Sequence, residues 1–415
     1  MASRESGFTS HRPKRTLRIT VVAAAACAWA AAAILCAAPV DQARRAAAAY
    51  FPPRGEWAAR DAAALGFDTA KLDEAVAYAK ANENPNDKDL SKDILRTFRR
   101  EPHNELIGPT AVRGGSSGLV IRRGYIAAQW GDTARPDMTF SVTKSFLSTV
   151  VGLAHDRGLI RSVDDRVAPY MPANVDLFTS EKNAPITWDH LLRQTSDWQG
   201  TLYGKPDWAD RPEGQTPADY PNRRLHAPGE RYKYNDVRVN VLALAALHVW
   251  RRPLPEVLRE SIMHPIGASS TWRWEGYNNS WVDIDGLKVQ ASTGGGHWGG
   301  GMFISAHDMA RFGYLFLRNG RWNHEQLISR KWMAMARTPG RANPAYGYMN
   351  WFLNTDRKPI PSAPATSVTF RGNGQNIVYI DWDNDLVVVV RWLNGSLDPF
   401  FSKVVGAIRS STSSS

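Results

Sequence analysis

The chain has 415 residues, 43% hydrophobic and 22% charged, a balance that excludes a disordered polypeptide and suffices for a large core. Both cysteines, Cys27 and Cys36, lie in the N-terminal apolar stretch, so disulfides, cysteine nucleophiles and cysteine metal sites are excluded after Val40. The net charge of +11 is concentrated near the N-terminus; beyond residue 45 there are 44 basic against 38 acidic residues, too mild a surplus to indicate a nucleic-acid partner.

Arg4, Arg12, Lys14, Arg15 and Arg18 precede an uncharged run of 22 residues from Ile19 to Val40. This is the pattern of a signal peptide or a signal anchor, and residues 1–45 read equally as either. Both predict export, with the bulk of the chain in the periplasm or held outside the cytoplasmic membrane. Residues 46–410 then form the folded part and 411–415 a Ser/Thr tail. After an extended segment from Tyr50 to Arg54, the apolar spacing of Leu72, Ala75, Val76 and Ala79 predicts a helix over 69–82. A polar stretch runs to His103. Gly118 to Arg122 and Tyr125 to Trp130 predict a β-hairpin around Arg123-Gly124. From Thr139 to about Met349 the period is mainly helical, with helices over 141–156, 188–194, 237–250, 254–263 and 305–318. Ser305 and Asp308 stand at capping-box spacing in the last of these, with Gly320 just past its end. Strands return at 367–370, 377–381 and 386–392. The predicted class is therefore α+β, an α/β sandwich. One antiparallel sheet is drawn from about 110–135 and 365–410, flanked by helices, with a mainly helical lobe over about 136–364.

Two serine motifs compete for the chemistry. Gly114-Gly115-Ser116-Ser117-Gly118 has the G-x-S-x-G spacing of a nucleophile elbow, but that motif needs a strand before the serine and a helix after it. Here the order is reversed, and Ser116 reads as a turn feeding the first strand. Ser141-Val142-Thr143-Lys144 places a lysine one helical turn after a serine, at the start of a helix apolar on nearly every side. A serine hydroxyl becomes a nucleophile when a neighbour takes its proton. A lysine does so only when neutral, which burial beside cationic or apolar groups favours.

Ser141-x-x-Lys144 resembles the first motif of the β-lactamase-related serine hydrolases, a family of class C β-lactamases, DD-peptidases, esterases and 6-aminohexanoate-dimer hydrolases. Three further segments follow in the family's order. Ile186 to Ser196 resembles "ITxxHLLxxTSG", with Asp197 where glycine is usual. Pro228 to Asp236 resembles "PGxxFxYSN", which makes Tyr234 the second-motif tyrosine and sets Asp236 where asparagine is usual. Gly299 to Phe312 resembles "GGLxSTxxDLARF". The resemblance implies a β-lactamase/transpeptidase-like fold and acyl transfer through Ser141. Lys144 and Tyr234 would share the base and acid roles, a partition left open. Phe370 to Asn376 stands in place of the third motif; either Arg371 or Asn373 takes its basic position, and the amide of Gln375 or Asn376 is expected to join Ser141 N–H as an oxyanion hole. His297 reads either as a polar substrate contact or as a histidine hydrogen-bonded within its glycine-rich loop. Trp198, Tyr203 and Trp208 read as an aromatic subsite or as core. No cofactor is implied, and no His/Asp/Glu spacing resembles a metal motif. The expected substrate is a small ester or amide, β-lactams and linear amide oligomers included. The alternative is a penicillin-binding envelope protein with little or no turnover. Oligomeric state is left open.

Overall fold

In the computed structural model, which describes residues 49–352 and 358–409, the sheet is closed by segments from opposite ends of the chain. The strand Ser117–Arg122 lies between Tyr125–Trp130 and Leu386–Arg391, and Asn376–Asp381 and Val368–Gly372 follow outward, all neighbours antiparallel. The runs SGLVIR, NIVYID and LVVVVR are buried at every position, as strands covered on both faces must be. Alternation sorts their side chains. Val387 and Val389 join the larger core with Phe146 and Phe312, while Val388 and Val390 join Leu72, Phe400 and Phe401. The helix Ala306–Leu317 covers the first face; Thr69–Ala81 and Asp398–Gly406 pack together on the second.

The predicted helices form with modest changes of boundary. Thr143–Asp156 and Asp236–Trp250 are buried nearly all round and lie against each other at the centre of the molecule. Leu254–Leu258 continues as a π-helical turn over Arg259–Met263. Ser305 caps its helix by accepting from Asp308 N at 3.1 Å. The carboxylate of Asp308 turns instead to Ser269, accepting from its amide and hydroxyl, so the return half of the capping box is spent on tertiary structure.

Two elements correct the sequence reading. The polar stretch before His103 contains the helix Leu90–Thr97, started by Asp89, whose side chain accepts from Ser91 N. The lobe expected to be mainly helical also holds a second, four-stranded sheet in the order Asp137–Met138, Gly301–Ile304, Arg273–Ile284, Leu287–Ser292. Among the described residues no helix is long and apolar enough to cross a membrane. The signal or anchor segment 1–45 and the tail 411–415 lie outside the described residues.

Candidate active site

Ser141 sits in a 3-10 turn, Phe140–Val142, between the short strand of the second sheet and the helix Thr143–Asp156. The turn requires Phe140 at φ +49°, a left-handed conformation that costs a bulky residue about 1 kcal/mol or more. Its surroundings fix it there. Thr143 Oγ1 donates to Phe140 O at 2.6 Å, and the Phe140 ring is buried edge-on to Trp392. Two glycine-bearing segments press on the same backbone. A Cβ on Gly295 (φ +122°) would stand 2.4 Å from Phe140 O, and one on Gly372 would stand 2.2 Å from Thr139 O. The run Gly294–Gly301 thus cradles the turn that carries Ser141.

Lys144 is fully buried, and its Nζ donates to Ser141 Oγ at 2.9 Å and to Gly294 O at 3.2 Å. The same nitrogen lies 2.5 Å from Asp236 Oδ1. Burial alone would push the lysine down, but Asp236 and the Tyr234 phenol outweigh it and hold the amine above its ordinary value. This corrects the expectation of a neutral lysine. The residue in the asparagine position is an acid, and its carboxylate beside the amine decides the direction.

Gln194 joins the second and third of the ordered segments. Its carbonyl accepts from Lys233 N at 3.0 Å, its Oε1 from Asn235 N at 2.6 Å, and its Nε2 donates to Tyr346 Oη at 2.8 Å. Asn235 caps the helix Asp236–Trp250 by accepting from Arg238 N, which spends its amide on structure and leaves Asp236 to face the pocket. Tyr234 lines the same pocket, stacked on Trp351 at 5.8 Å, with Lys144 Nζ 5.0 Å and the Arg211 guanidinium 4.8 Å from its ring centre. The conformation at Asp197 (φ +44°) explains why glycine suits that position. Its carboxylate accepts from Arg223, Arg238 and the His226 amide, a buried ion cluster below the site.

Behind Asp236 the charges continue. His297 Nδ1 is 3.2 Å from Asp236 Oδ2 and 3.4 Å from Asp210 Oδ1, and its Nε2 is 2.8 Å from Glu101 Oε2. Asp210 pairs with Arg211, which also reaches Asp236 Oδ2 at 3.7 Å. The imidazole is stacked between Phe98 and Trp298 at 4.0 and 4.1 Å. Burial would lower His297, but Asp210, Asp236 and Glu101 push it up to about 9. Burial would raise Asp236, but Lys144, His297 and Arg211 hold it well below the usual carboxylate range. His297 lines the pocket, and its ring nitrogens face Asp236, Asp210 and Glu101, none of them in its glycine-rich loop. Glu101, Asp210 and His297 also bring ligand-type atoms within 4.8 Å of one another, a grouping that no sequence spacing shows. Glu101 and Asp210 approach opposite ring nitrogens and Arg211 occupies Asp210, the arrangement of an ion cluster rather than a chelate.

The pocket has a volume of about 410 Å³ and is walled by Phe98, Phe140, Tyr234 and Trp351, with Arg371, Gly372 and Asn373 along the strand edge. Arg371 lies over Trp351, its guanidinium lowered by burial. The register expected for Gln375 and Asn376 is corrected. Gln375 lies in the turn and Asn376 begins the next strand. Gln375 donates to Gly395 O, and Asn376 donates to Asn373 O while accepting from Arg391, so neither lines the pocket. Trp198, Tyr203 and Trp208 do not line it either; Trp198 is buried with its Nε1 on Leu177 O. Ser116 donates to Ala79 O, far from this chemistry in its bonding. The sequence reading missed Glu101, Asp210, Arg211, Phe98 and Trp351. They come from loops and element ends without periodicity, where no motif spacing marks them.

A family model described as beta-lactamase matches residues 110–401, most of the chain. No curated protein sequence matches. Among solved structures, a candidate beta-lactamase from Bacteroides dorei superposes with a TM-score of 0.54 at 14% identity, covering 82% of this chain and 99% of that one. A family VIII carboxylesterase gives 0.51 at 16% identity over 77% and 96% of the two chains. The octameric penicillin-binding protein homologue from Pyrococcus abyssi gives 0.50 at 16% identity over 82% and 76%. At these identities the likeness is one of fold.

Proposed function

The chain belongs to the beta-lactamase family, and from that premise we propose that it hydrolyses a small ester or amide through an acyl-enzyme on Ser141. The observation that carries this reading is the 2.9 Å contact between Lys144 Nζ and Ser141 Oγ at the floor of a pocket that Tyr234 also lines. In the proposed reaction Ser141 Oγ attacks the substrate carbonyl carbon and its proton is relayed through the Tyr234 hydroxyl, which stands beside Lys144 and Arg211. Lys144, kept as an ammonium by Asp236, donates to the serine oxygen and holds it at the pocket. Ser141 N–H and a strand amide in the 371–373 stretch would receive the oxyanion. Tyr234 then gives its proton to the leaving group as the carbonyl re-forms, and water releases the acyl group. Arg371 would hold an electronegative group of the substrate over Trp351.

A second reading, a penicillin-binding envelope protein that releases its acyl group slowly, is favoured by one observation. Asp236 ties up the lysine that would otherwise help activate the deacylating water. We also propose, from the basic cluster ahead of the uncharged run 19–40, that the folded part works outside the cytoplasmic membrane, tethered or released. The test is Ser141→Ala. The wild type should be labelled rapidly by a fluorophosphonate and turn over p-nitrophenyl butyrate, with the variant down by about 1,000-fold or more and its circular dichroism unchanged. Stable labelling by a fluorescent penicillin without release would select the second reading. A folded alanine variant that still turns over the ester rejects both.

A further inference from the structure

Four contacts run in series from the nucleophile to the edge of the protein. Lys144 Nζ meets Ser141 Oγ at 2.9 Å, Asp236 Oδ1 meets Lys144 Nζ at 2.5 Å, His297 Nδ1 meets Asp236 Oδ2 at 3.2 Å, and Glu101 Oε2 meets His297 Nε2 at 2.8 Å. Lys144, Asp236 and His297 are buried, Ser141 faces the pocket, and the Glu101 side chain keeps 14% of its surface in solvent. We infer that His297 is a positioning residue, which by bridging Asp236 to Glu101 holds the carboxylate that holds Lys144 against Ser141. The inference rests on the reading of Ser141 as the nucleophile.

The geometry favours positioning because Asp236 has a competing partner. Its Oδ2 lies between His297 and Arg211, 3.2 Å from one and 3.7 Å from the other. With the imidazolium in place the carboxylate is drawn to the His297 side and Oδ1 stays on Lys144. Without it Arg211 is the cation left for Oδ2, and the carboxylate is free to turn away from the lysine. The ring itself cannot drift, being stacked between Phe98 and Trp298. The charged groups facing it are Asp236 from the helix start, Asp210 from the loop that also carries Arg211, and Glu101 from the segment after the helix Leu90–Thr97. Glu101 and His297 are close in distance but not in line, an ion pair rather than a directed hydrogen bond. The clamp therefore acts by charge, and it should loosen when the ring loses its proton, near the pH of about 9 to which those acids raise it.

The experiment measures the second-order rate of fluorophosphonate labelling of the full chain from pH 5 to 10, which reports acylation without knowledge of the natural substrate. Wild type should fall off above about pH 9. His297→Gln should label about 100-fold more slowly at pH 7, the scale of a nucleophile displaced by about 1 Å, and lose that alkaline decline. Glu101→Gln, at a partly exposed position, should move the decline to lower pH, because one of the acids raising His297 is gone. A purely structural role would lower the amount of folded protein without moving the pH profile. If His297→Gln does not fold, the Glu101→Gln profile decides alone. An unchanged profile in Glu101→Gln, or a wild-type rate in folded His297→Gln, overturns the inference. Labelling of Ser141→Ala at the wild-type rate would instead remove the reading on which it stands.

Discussion

At the scale of single residues, the site turns on Asp236 in place of the asparagine that ends the second motif elsewhere in the family. An isolated carboxylate at this depth costs several kcal/mol, and here Lys144 at 2.5 Å, His297 at 3.2 Å and Arg211 at 3.7 Å offset the cost. Replacing it leaves three cations facing one another, so Asp236→Asn should lose about 3–5 kcal/mol of stability despite being nearly isosteric. The pH dependence has a sign. Because the folded carboxyl titrates below its unfolded value of about 4, its contribution is present above that pH and vanishes as pH falls through the folded value. His297 behaves oppositely, since its folded value near 9 exceeds an unfolded value of about 6.5; its contribution is complete below 6.5 and lost as pH rises through 9. Urea titrations of both proteins from pH 3 to 9.5 check this: the gap between them should be widest near pH 5–6.5 and narrow on both sides. Equal midpoints at pH 6 would sink the account. Ser141, Lys144, Tyr234 and Asp236 were legible in the sequence because four motifs fall in a fixed order. The charge state of Lys144 was not, because it depends on which way Asp236 points. Gaps left two registers for the strand edge, and both candidates for its basic position, Arg371 and Asn373, line the pocket.

At the scale of elements, long periodic segments declared themselves and composite ones did not. LVVVVR and the helix Ala306–Leu317 need no tertiary information to be recognised. The strand Arg273–Ile284 does. Its sequence RWEGYNNSWVDI has Gly and Asn at its centre, and its pairing with Leu287–Ser292 shifts register between Gly276 and Trp281, so no clean alternation survives. That strand leads through Leu287–Ser292 into the Gly294–Gly301 run. That run links the second sheet to the turn that carries Ser141, and Gly295 is where the two touch. A methyl group there would meet Phe140 O at 2.4 Å on a backbone whose φ of +122° already disfavours any side chain. Gly295→Ala should therefore displace the turn, costing about 2 kcal/mol or more in stability and about 100-fold in Ser141 labelling although the catalytic side chains are intact. Thermal melting and labelling rates measured side by side check it, and a variant labelled at the wild-type rate would show that the loop does not set the turn.

At the scale of the whole molecule, the sequence reading of one sheet built from distant segments is what the fold shows, because strands covered on both faces must find partners wherever the chain supplies them. A sheet of that kind leaves the first segment of the fold to be fastened separately. Residues 50–57 form no helix or long strand, yet Arg311 fastens them. Its guanidinium, lowered by burial, donates to the carbonyls of Pro52, Pro53 and Glu56, with Ile266 O as the fourth acceptor. Tyr314 Oη adds a bond to Tyr50 O, and Trp57 Nε1 one to Gly124 O. Arg311 is the arginine of the fourth motif, so a residue that the family resemblance singled out works by tying the chain's entry to the helix that backs the sheet. Hydrogen bonds from a charged donor contribute about 1.5–3 kcal/mol each, and the methylene stem keeps its packing in methionine. Arg311→Met should then cost about 3 kcal/mol or more and expose the exposed Arg54 to early tryptic cleavage. Ser141 labelling at 25 °C should stay unchanged in the folded fraction, because no part of the strap lines the pocket. A matching urea midpoint and digestion pattern would mean that the segment is held by Tyr50 and Trp57 alone; a fall in labelling without a fall in stability would mean that the entry segment shapes the site as well as the fold.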